Sequence, residues 1–589
     1  MSARRQVVVV MVAAVFAGSP AAAQVDLSGN WATRQHEDQP DRGPGVGLGD
    51  YAGIPMTAAA RQWAESWDAS RLTNYEQQCR VHAVHYIYRG PLNVRIWEEK
   101  DPKTQDVIAI KHYISTYEQT RTIWMDGRPH PPAYAPHTWM GFSTGRWEGD
   151  RLIVETTHIK QGWHRRNGVP ASDQTTLTEY FIRHGNYFTL VQVIKDPVYL
   201  TEPMIKTVHF ELNPRALPAR NWLWPCQAVV EIATRDETDV PHYLPGKNPY
   251  LESSRQQARL TMAGAEGGAP SLYPEWNSNR AQAQARYAEQ PTPPLRPVYD
   301  GEVHVLPVQG GVYLLAGGGV NSALHIGDEG VMVVDSQPGP LSDKVIAAIR
   351  TLTGKPIRHV VNTTADGDHM GGNEALAKAG STRTGGVVVG QIGALATAGI
   401  IAHEKLMNRI SASGGAQGAL PFAAQPTETF FGAKKEMLFN GEGVQFLHQP
   451  DAHTDGDIMV YFRRSDVLAT GDLFSTISYP VIDLARGGSI DGTLAALNRI
   501  IDIAIPSNTQ EGGTMIIPGH GRVCDEMDVV EYRDMVTIVR DRVKDMVARK
   551  LTLAQVQAAR PTLDFDARYG SDAKATAAFV EAVYRGLAK

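Results

Sequence analysis

A chain of 589 residues is longer than one hydrophobic core ordinarily covers, so two or more domains are expected. Its 42% hydrophobic and 20% charged residues are the proportions of an ordinary soluble globular protein. With 57 basic against 63 acidic residues the net charge is −6, a near-balance that gives no sign of nucleic-acid binding, which needs a clustered basic surface.

The first 23 residues read as a secretory signal. Arg4 and Arg5 precede the apolar run Val7–Gly18, and small residues at Ala21 and Ala23 place cleavage after Ala23. The apolar run is well short of the ~20 residues a membrane span needs. The mature chain is therefore expected in the periplasm or outside the cell, with no integral membrane segment once the signal is removed. That compartment permits a disulfide. Cys79 and Cys226, both in the N-terminal half, are the natural pair, leaving Cys524 free; three unpaired thiols are the alternative.

Residues 24–255 are strand-like. The segments "NVRIWEE", "RTIWMDG", "DRLIVETTHI", "LTEYFIR" and "YFTLVQVI" are short β-branched and aromatic runs parted by turn dipeptides, which predicts an antiparallel barrel or sandwich. "DLSGNW" (Asp26–Trp31) resembles the first strand of small ligand-binding barrels. His130, His137, Trp139, His158, Trp163 and His164 crowd this region; aromatics in a core with histidines on loops is the first reading, and a second binding pocket the other. Residues 256–300, rich in Gly, Pro, Ala and Gln, read as a linker with one helix around Asn277–Glu289.

From 301 to 530 strands alternate with helices, the pattern of a layered α/β domain. "GVYLLAGGGVNSALHIG", "GVMVVDS" and "PIRHVVN" are strands; "LSDKVIAAIRTL" and "NEALAKAG" have helical spacing. "AGGGVN" (Ala316–Asn321) reads as a turn rather than a phosphate cradle, because no Lys-Ser/Thr pair follows it. His403 falls on an expected helix with a structural or surface role. Residues 531–589 form a helical tail.

Four separated segments of this second domain carry metal-ligand residue types at strand ends: "DGDHMGGN" (Asp368, His369), "DAHTDGD" (His453), "LATGDLF" (Asp472) and "IIPGHGR" (His520). Side chains at such ends can converge on one sheet edge, and mixed imidazole and carboxylate donors suit Zn²⁺, with another divalent ion as the alternative.

Together with "GDEGVMVVDS" and "GKPIRHVVNTTADGDHMGGNEALAKAG", these segments make residues 304–524 resemble the metallo-β-lactamase superfamily, in its exported hydrolase-like branch. The resemblance implies a four-layer αββα sandwich, preceded here by the antiparallel β barrel or sandwich. It implies metal sites too. Against the family signature His-x-His-x-Asp-His, Thr364 and Asp366 stand where the first two histidines belong, and Asp368 and His369 match. His453, Asp472 and His520 match the later ligands.

Three readings follow. One metal is held by Asp368, His369 and His520 with Asp472 as a fourth ligand, while Asp366 or His453 orients water or serves as general base. Alternatively, Asp366 joins His453 and Asp472 around a second, harder ion. In the third, the site is degenerate and the protein is a non-catalytic ligand-binding or accessory protein. The expectation is an exported metal-dependent hydrolase with one or two zinc ions per chain. It would cleave an ester, lactone, lactam or other amide bond of a small molecule with metal-bound hydroxide, and Asp368, Asp366 and His453 would be its catalytic residues.

Overall fold

The structure, a computed structural model, describes residues 25–34, 47–215 (less 52, 91 and 92), 228–229, 239–257, 274–282 (less 280), 299–381, 397–411, 420–507 and 513–588. The expected signal segment 1–23, Cys226 and most of the 256–300 linker lie outside the described residues.

The N-terminal strands are β1 (Gly29–Thr33), β2 (Val94–Lys100), β3 (Val107–Ile114), β4 (Gln119–Trp124), β5 (Phe142–Glu148), β6 (Arg151–Thr157), β7 (Gly162–Arg165), β8 (Val169–Ala171), β9 (Thr176–His184), β10 (Tyr187–Lys195) and β11 (Met204–Leu212). Nine of them close a barrel in the order β1-β11-β10-β9-β6-β5-β4-β3-β2, while β7 and β8 pair separately. Closure runs through β1, where Trp31 faces Leu212 on one side and Val94 on the other. A closed sheet leaves no unpaired edge.

Alternation sets the inside: in β10, Phe188, Leu190 and Ile194 are buried while Tyr187 and Lys195 are exposed. Trp31 meets Phe188 edge-on at 4.7 Å, and Phe188 stacks on Phe210 at 4.5 Å. A polar seam crosses this interior. Arg121 and Glu179 pair with no solvent exposure, and Ser143, Thr156, Tyr88 and Gln192 bond to one or the other. A buried charge pair is tolerable when its remaining donors and acceptors are met in this way.

The second domain stacks two sheets. The first runs in chain order through β12 (His304–Gln309), β13 (Val312–Gly317), β14 (Val320–Gly327), β15 (Gly330–Val334), β16 (Ile357–Val361), β17 (Gly399–His403) and β18 (Glu428–Phe430). The second contains β19 (Lys434–Phe439), β20 (Glu442–His448), β21 (Ile458–Phe462), β22 (Val467–Ser475) and β23 (Met515–His520). Leu314, Met332 and Val334 of the first sheet meet Phe446, Val460, Ala469 and Ile517 of the second in one core. Helices Ser342–Leu352 and Asn373–Ala379 cover the outer face of the first sheet through Val345, Ile349 and Leu376. Helices Ile490–Ile503 and Glu526–Ala548 cover the second through Leu494, Leu497, Val536 and Val539. This is the expected αββα sandwich.

The domains share packing. Trp63, Trp67 and Trp163 of the N-terminal domain belong to the same buried cluster as Tyr532 and Val536. Buried ion pairs cross the contact: Lys160 to Asp528 at 2.9 Å, Asp173 to Arg522 at 3.3 Å and to Arg568 at 3.0 Å, and Arg80 to Glu531. After Ala548 the chain adds helices Leu553–Ala558, Leu563–Tyr569 and Ala573–Leu587.

His403 ends a strand, not a helix, and its ring stacks on His448 at 3.8 Å. Cys79 is disulfide-bonded, which removes the reading of three free thiols; Cys524 is free and buried. Among the described residues no helix is long and apolar enough to cross a membrane.

Candidate metal centre

The site is assembled where four strands end. Beyond β15 the backbone of Asp335 turns to φ +63°, a left-handed conformation that costs a non-glycine residue about 1–3 kcal/mol and calls for compensation. The compensation is visible. Asp335 accepts from the Thr363 amide at 2.8 Å, the Thr363 hydroxyl at 2.6 Å and His369 Nδ1 at 2.8 Å. Thr363 follows β16, and the chain then enters the short helix Gly367–Met370 with Asp366 at its N-cap. That helix carries Asp368 and His369.

β22 supplies Asp472 and β23 supplies His520, on neighbouring parallel strands. Their close approach depends on glycine. A Cβ on Gly519 would lie 2.6 Å from Asp472 Oδ1, and one on Gly471 would lie 2.2 Å from the Thr363 hydroxyl. His453 comes from the loop between β20 and β21.

The side chains converge as two groups. Ligand atoms of Asp368, His369 and His520 lie within 4.8 Å of one another, as do those of Asp366, His453 and Asp472. Asp472 joins the groups: its Oδ1 is 3.0 Å from His369 Nε2 and 2.9 Å from His520 Nε2. Asp368 Oδ2 stands 3.9 Å from His520 Nε2. His369 is fully buried while the Asp368 side chain is 43% exposed, so the centre opens to solvent on the Asp368 side. In the second group His453 Nε2 faces Asp366 Oδ2 at 3.2 Å, and Thr364 Oγ1 is 3.5 Å from His453 Nδ1.

The electrostatics follow from this crowding. Burial opposes charge on His369, yet Asp472 and Asp335 outweigh it and hold its pKa well above the usual imidazole value. Burial likewise opposes the ionised form of Asp472, and His369 and His520 reverse that, holding it well below the carboxylate range. For His453 burial is again overcome, chiefly by Asp366 and Asp457, and the pKa rises to about 10. Asp366 is lowered against burial by His453 and Arg486.

The first group fits a divalent ion. His369 Nδ1 is committed to Asp335 and His520 Nδ1 to the Gly319 carbonyl at 2.8 Å, so each imidazole turns Nε2 inward. Locking the outer nitrogen is how ligand histidines are oriented. One carboxylate and two imidazoles that would give up a proton to the ion, with Asp472 beside them, make a donor set suited to zinc. The second group is compromised, since Arg486 Nη1 already donates to Asp366 Oδ1 at 2.7 Å.

Every ligand candidate read from the sequence thus reaches the centre, and Thr364 sits beside it as a neutral hydroxyl. Sequence reasoning missed Asp335, Asp457, Arg486 and the Gly319 carbonyl. Asp335 had a signal, an acid closing the apolar run "GVMVVD", and the "AGGGVN" turn is the one that supplies the carbonyl. Nothing in the local text around Arg486 distinguishes it from a surface arginine. His137 and His158 line a cleft with Asp173, Thr476, Arg522 and Arg568, beside His520 in sequence and space. His164 is instead buried against Asp196 at 3.0 Å, and Trp163 is in the core.

Residues 315–506 match the family model of the metallo-beta-lactamase superfamily, and the sandwich they help build has that superfamily's fold. A linear primary-alkylsulfatase from Pseudomonas sp. is 26% identical over 255 residues, covering 38% of this chain and 46% of that protein. Among solved structures, the inverting sec-alkylsulfatase Pisa1 from Pseudomonas sp. is 17% identical with a TM-score of 0.36, over 48% of this chain and 50% of that one. A metallo-beta-lactamase from Pontibacter korlensis is 16% identical with a TM-score of 0.31, over 40% of this chain and 99% of that one. The chain spans about half the length of the alkylsulfatases it matches.

Proposed function

We propose that this chain is an exported, metal-dependent hydrolase that cleaves an ester-class bond of a small molecule, with sulfate esters first among the candidates ahead of carboxylic esters, lactones and lactams. The observation that carries it is the convergence of Asp368, His369 and His520 within 4.8 Å, with both imidazoles fixed from behind. The curated alkylsulfatase relative sets the order of candidates. The signal-like N-terminus supports export.

Asp368, His369, His520 and Asp472 would hold the ion, and when bound it supplies Lewis acidity and lowers the pKa of a water toward 7. The chain's own residues arrange the rest. Asp366, ionised and paired to Arg486, orients a water by accepting its hydrogen bond. His453, whose charged form Asp366 and Asp457 favour, would serve as the proton donor to the departing oxygen rather than as a base. The cleft that His137 and His158 share with Thr476 and Arg522 adjoins the His520 backbone, whose carbonyl accepts from the Thr476 amide at 3.2 Å.

The test is a panel of an aryl sulfate, an aryl ester, a lactone, nitrocefin and a phosphodiester, run on purified protein with and without chelator. Hydrolysis that chelator abolishes and zinc restores, lost together with bound zinc in Asp368→Ala, is expected. Protein that binds no zinc at neutral pH and turns over none of these compounds would make it a binding or accessory protein.

A further inference from the structure

The second donor group has a competitor for the ion it would hold. Arg486 Nη1 donates to Asp366 Oδ1 at 2.7 Å, and Arg486 Nε donates to Asp483 Oδ2 at 2.6 Å. The guanidinium is fixed between two carboxylates, one of them a member of the group.

Its backbone is tied to the loop that presents His453. The Asp455 amide donates to the Arg486 carbonyl at 3.0 Å, the Asp483 amide to the His453 carbonyl at 3.0 Å, and the Ser489 amide to the Ala452 carbonyl at 3.1 Å. Gly487 turns at φ +86°, and a Cβ on Gly488 would lie 2.2 Å from the His453 carbonyl oxygen. The two loops touch backbone to backbone, so Arg486 and His453 are positioned together.

We propose that Arg486 takes the place of a second metal ion. The centre then holds one ion, at Asp368, His369, His520 and Asp472, and a permanent guanidinium supplies the positive charge on the Asp366 side. The chemistry of the neighbours agrees. Thr364 contributes a neutral hydroxyl, a poor ligand. Both oxygens of Asp366 are engaged, Oδ1 by Arg486 and Oδ2 by His453 Nε2 at 3.2 Å. A divalent ion on that carboxylate would stand a few ångströms from a guanidinium that cannot give up its charge, where like charges repel strongly.

This inference rests on the metal-dependent reading above. The full chain is loaded with zinc and dialysed exhaustively; the metal is then counted by mass spectrometry, and cobalt-substituted samples are followed by visible absorption. One equivalent is expected for the wild type and for Arg486→Lys, and two for Arg486→Ala, with a second cobalt band. If Arg486→Ala does not fold, Arg486→Gln carries the same expectation of two. Two equivalents in the wild type would overturn the inference and leave metal dependence standing, as would one equivalent in a folded Arg486→Ala. A wild type that binds none would sink the proposed function and this inference with it.

Discussion

Asp335 never faces the ion position, yet it governs His369. Its Oδ2 receives both His369 Nδ1 and the Thr363 hydroxyl, which fixes the ring and turns Nε2 inward. Asp335→Asn keeps the shape and removes the charge, and is expected to weaken zinc affinity about 10–100-fold, the usual cost of losing such a partner. Competitive titration against a chromophoric chelator measures it; unchanged affinity would show that His369 is oriented by packing alone. His369 also sets a pH dependence. Its folded pKa is raised from 6.5, so without metal its contribution to stability is complete below about 6.5 and fades as pH rises through the folded value. Zinc competes with that proton. The rise in melting temperature on adding zinc is therefore expected to grow from about pH 6 to about pH 8; a shift that shrinks over that range would contradict the assignment of His369 as a ligand.

At the scale of elements, the site depends on how closely β22 and β23 approach at their C-terminal ends. Gly519→Ala would set a methyl carbon 2.6 Å from Asp472 Oδ1 and 2.8 Å from the Gly471 backbone. That variant is expected to fold and lose most bound zinc, read as metal per chain beside an unchanged circular dichroism spectrum; full zinc content would mean that Asp472 is dispensable. This edge was legible in the text because its strands are apolar runs broken by Gly-flanked acids and imidazoles, a pattern that survives without knowing the sheet order. Orientation was not legible. That His453 faces Asp366, and that Arg486 reaches the same carboxylate from 120 residues away, depends on loops pairing backbone to backbone, which leaves no local periodicity. His403 was misread for a related reason: "GIIAH" is a five-residue apolar run in front of a helical pattern, and such short runs fit strand or helix equally.

Across the whole molecule, the barrel is fixed to the sandwich. Lys160 reaches from the barrel to Asp525 and Asp528 at the start of helix Glu526–Ala548, and Asp173 bridges Arg522 and Arg568. Arg522 lies two residues beyond His520, so this contact also braces the metal centre. Lys160→Met leaves buried Asp525 without its cation and Asp528 with Arg522 alone, and is expected to cost about 3–5 kcal/mol. Wild-type protein should melt in one transition by calorimetry, and the variant earlier or in two; an unaltered melt would mean that solvent reaches the pair. The domain's strands were legible from their alternation and turn dipeptides, which left barrel or sandwich open; closure through β1 came only with the structure. The barrel's attachment was not legible, because the partners are single charged residues separated by hundreds of positions.

The central claim is that Asp368, His369 and His520 share one ion. A crystal of zinc-loaded protein, measured for anomalous scattering across the zinc edge, tests it directly. A single strong peak within coordination distance of Asp368, His369 Nε2 and His520 Nε2 is predicted. No peak there, or one elsewhere in the chain, would contradict it.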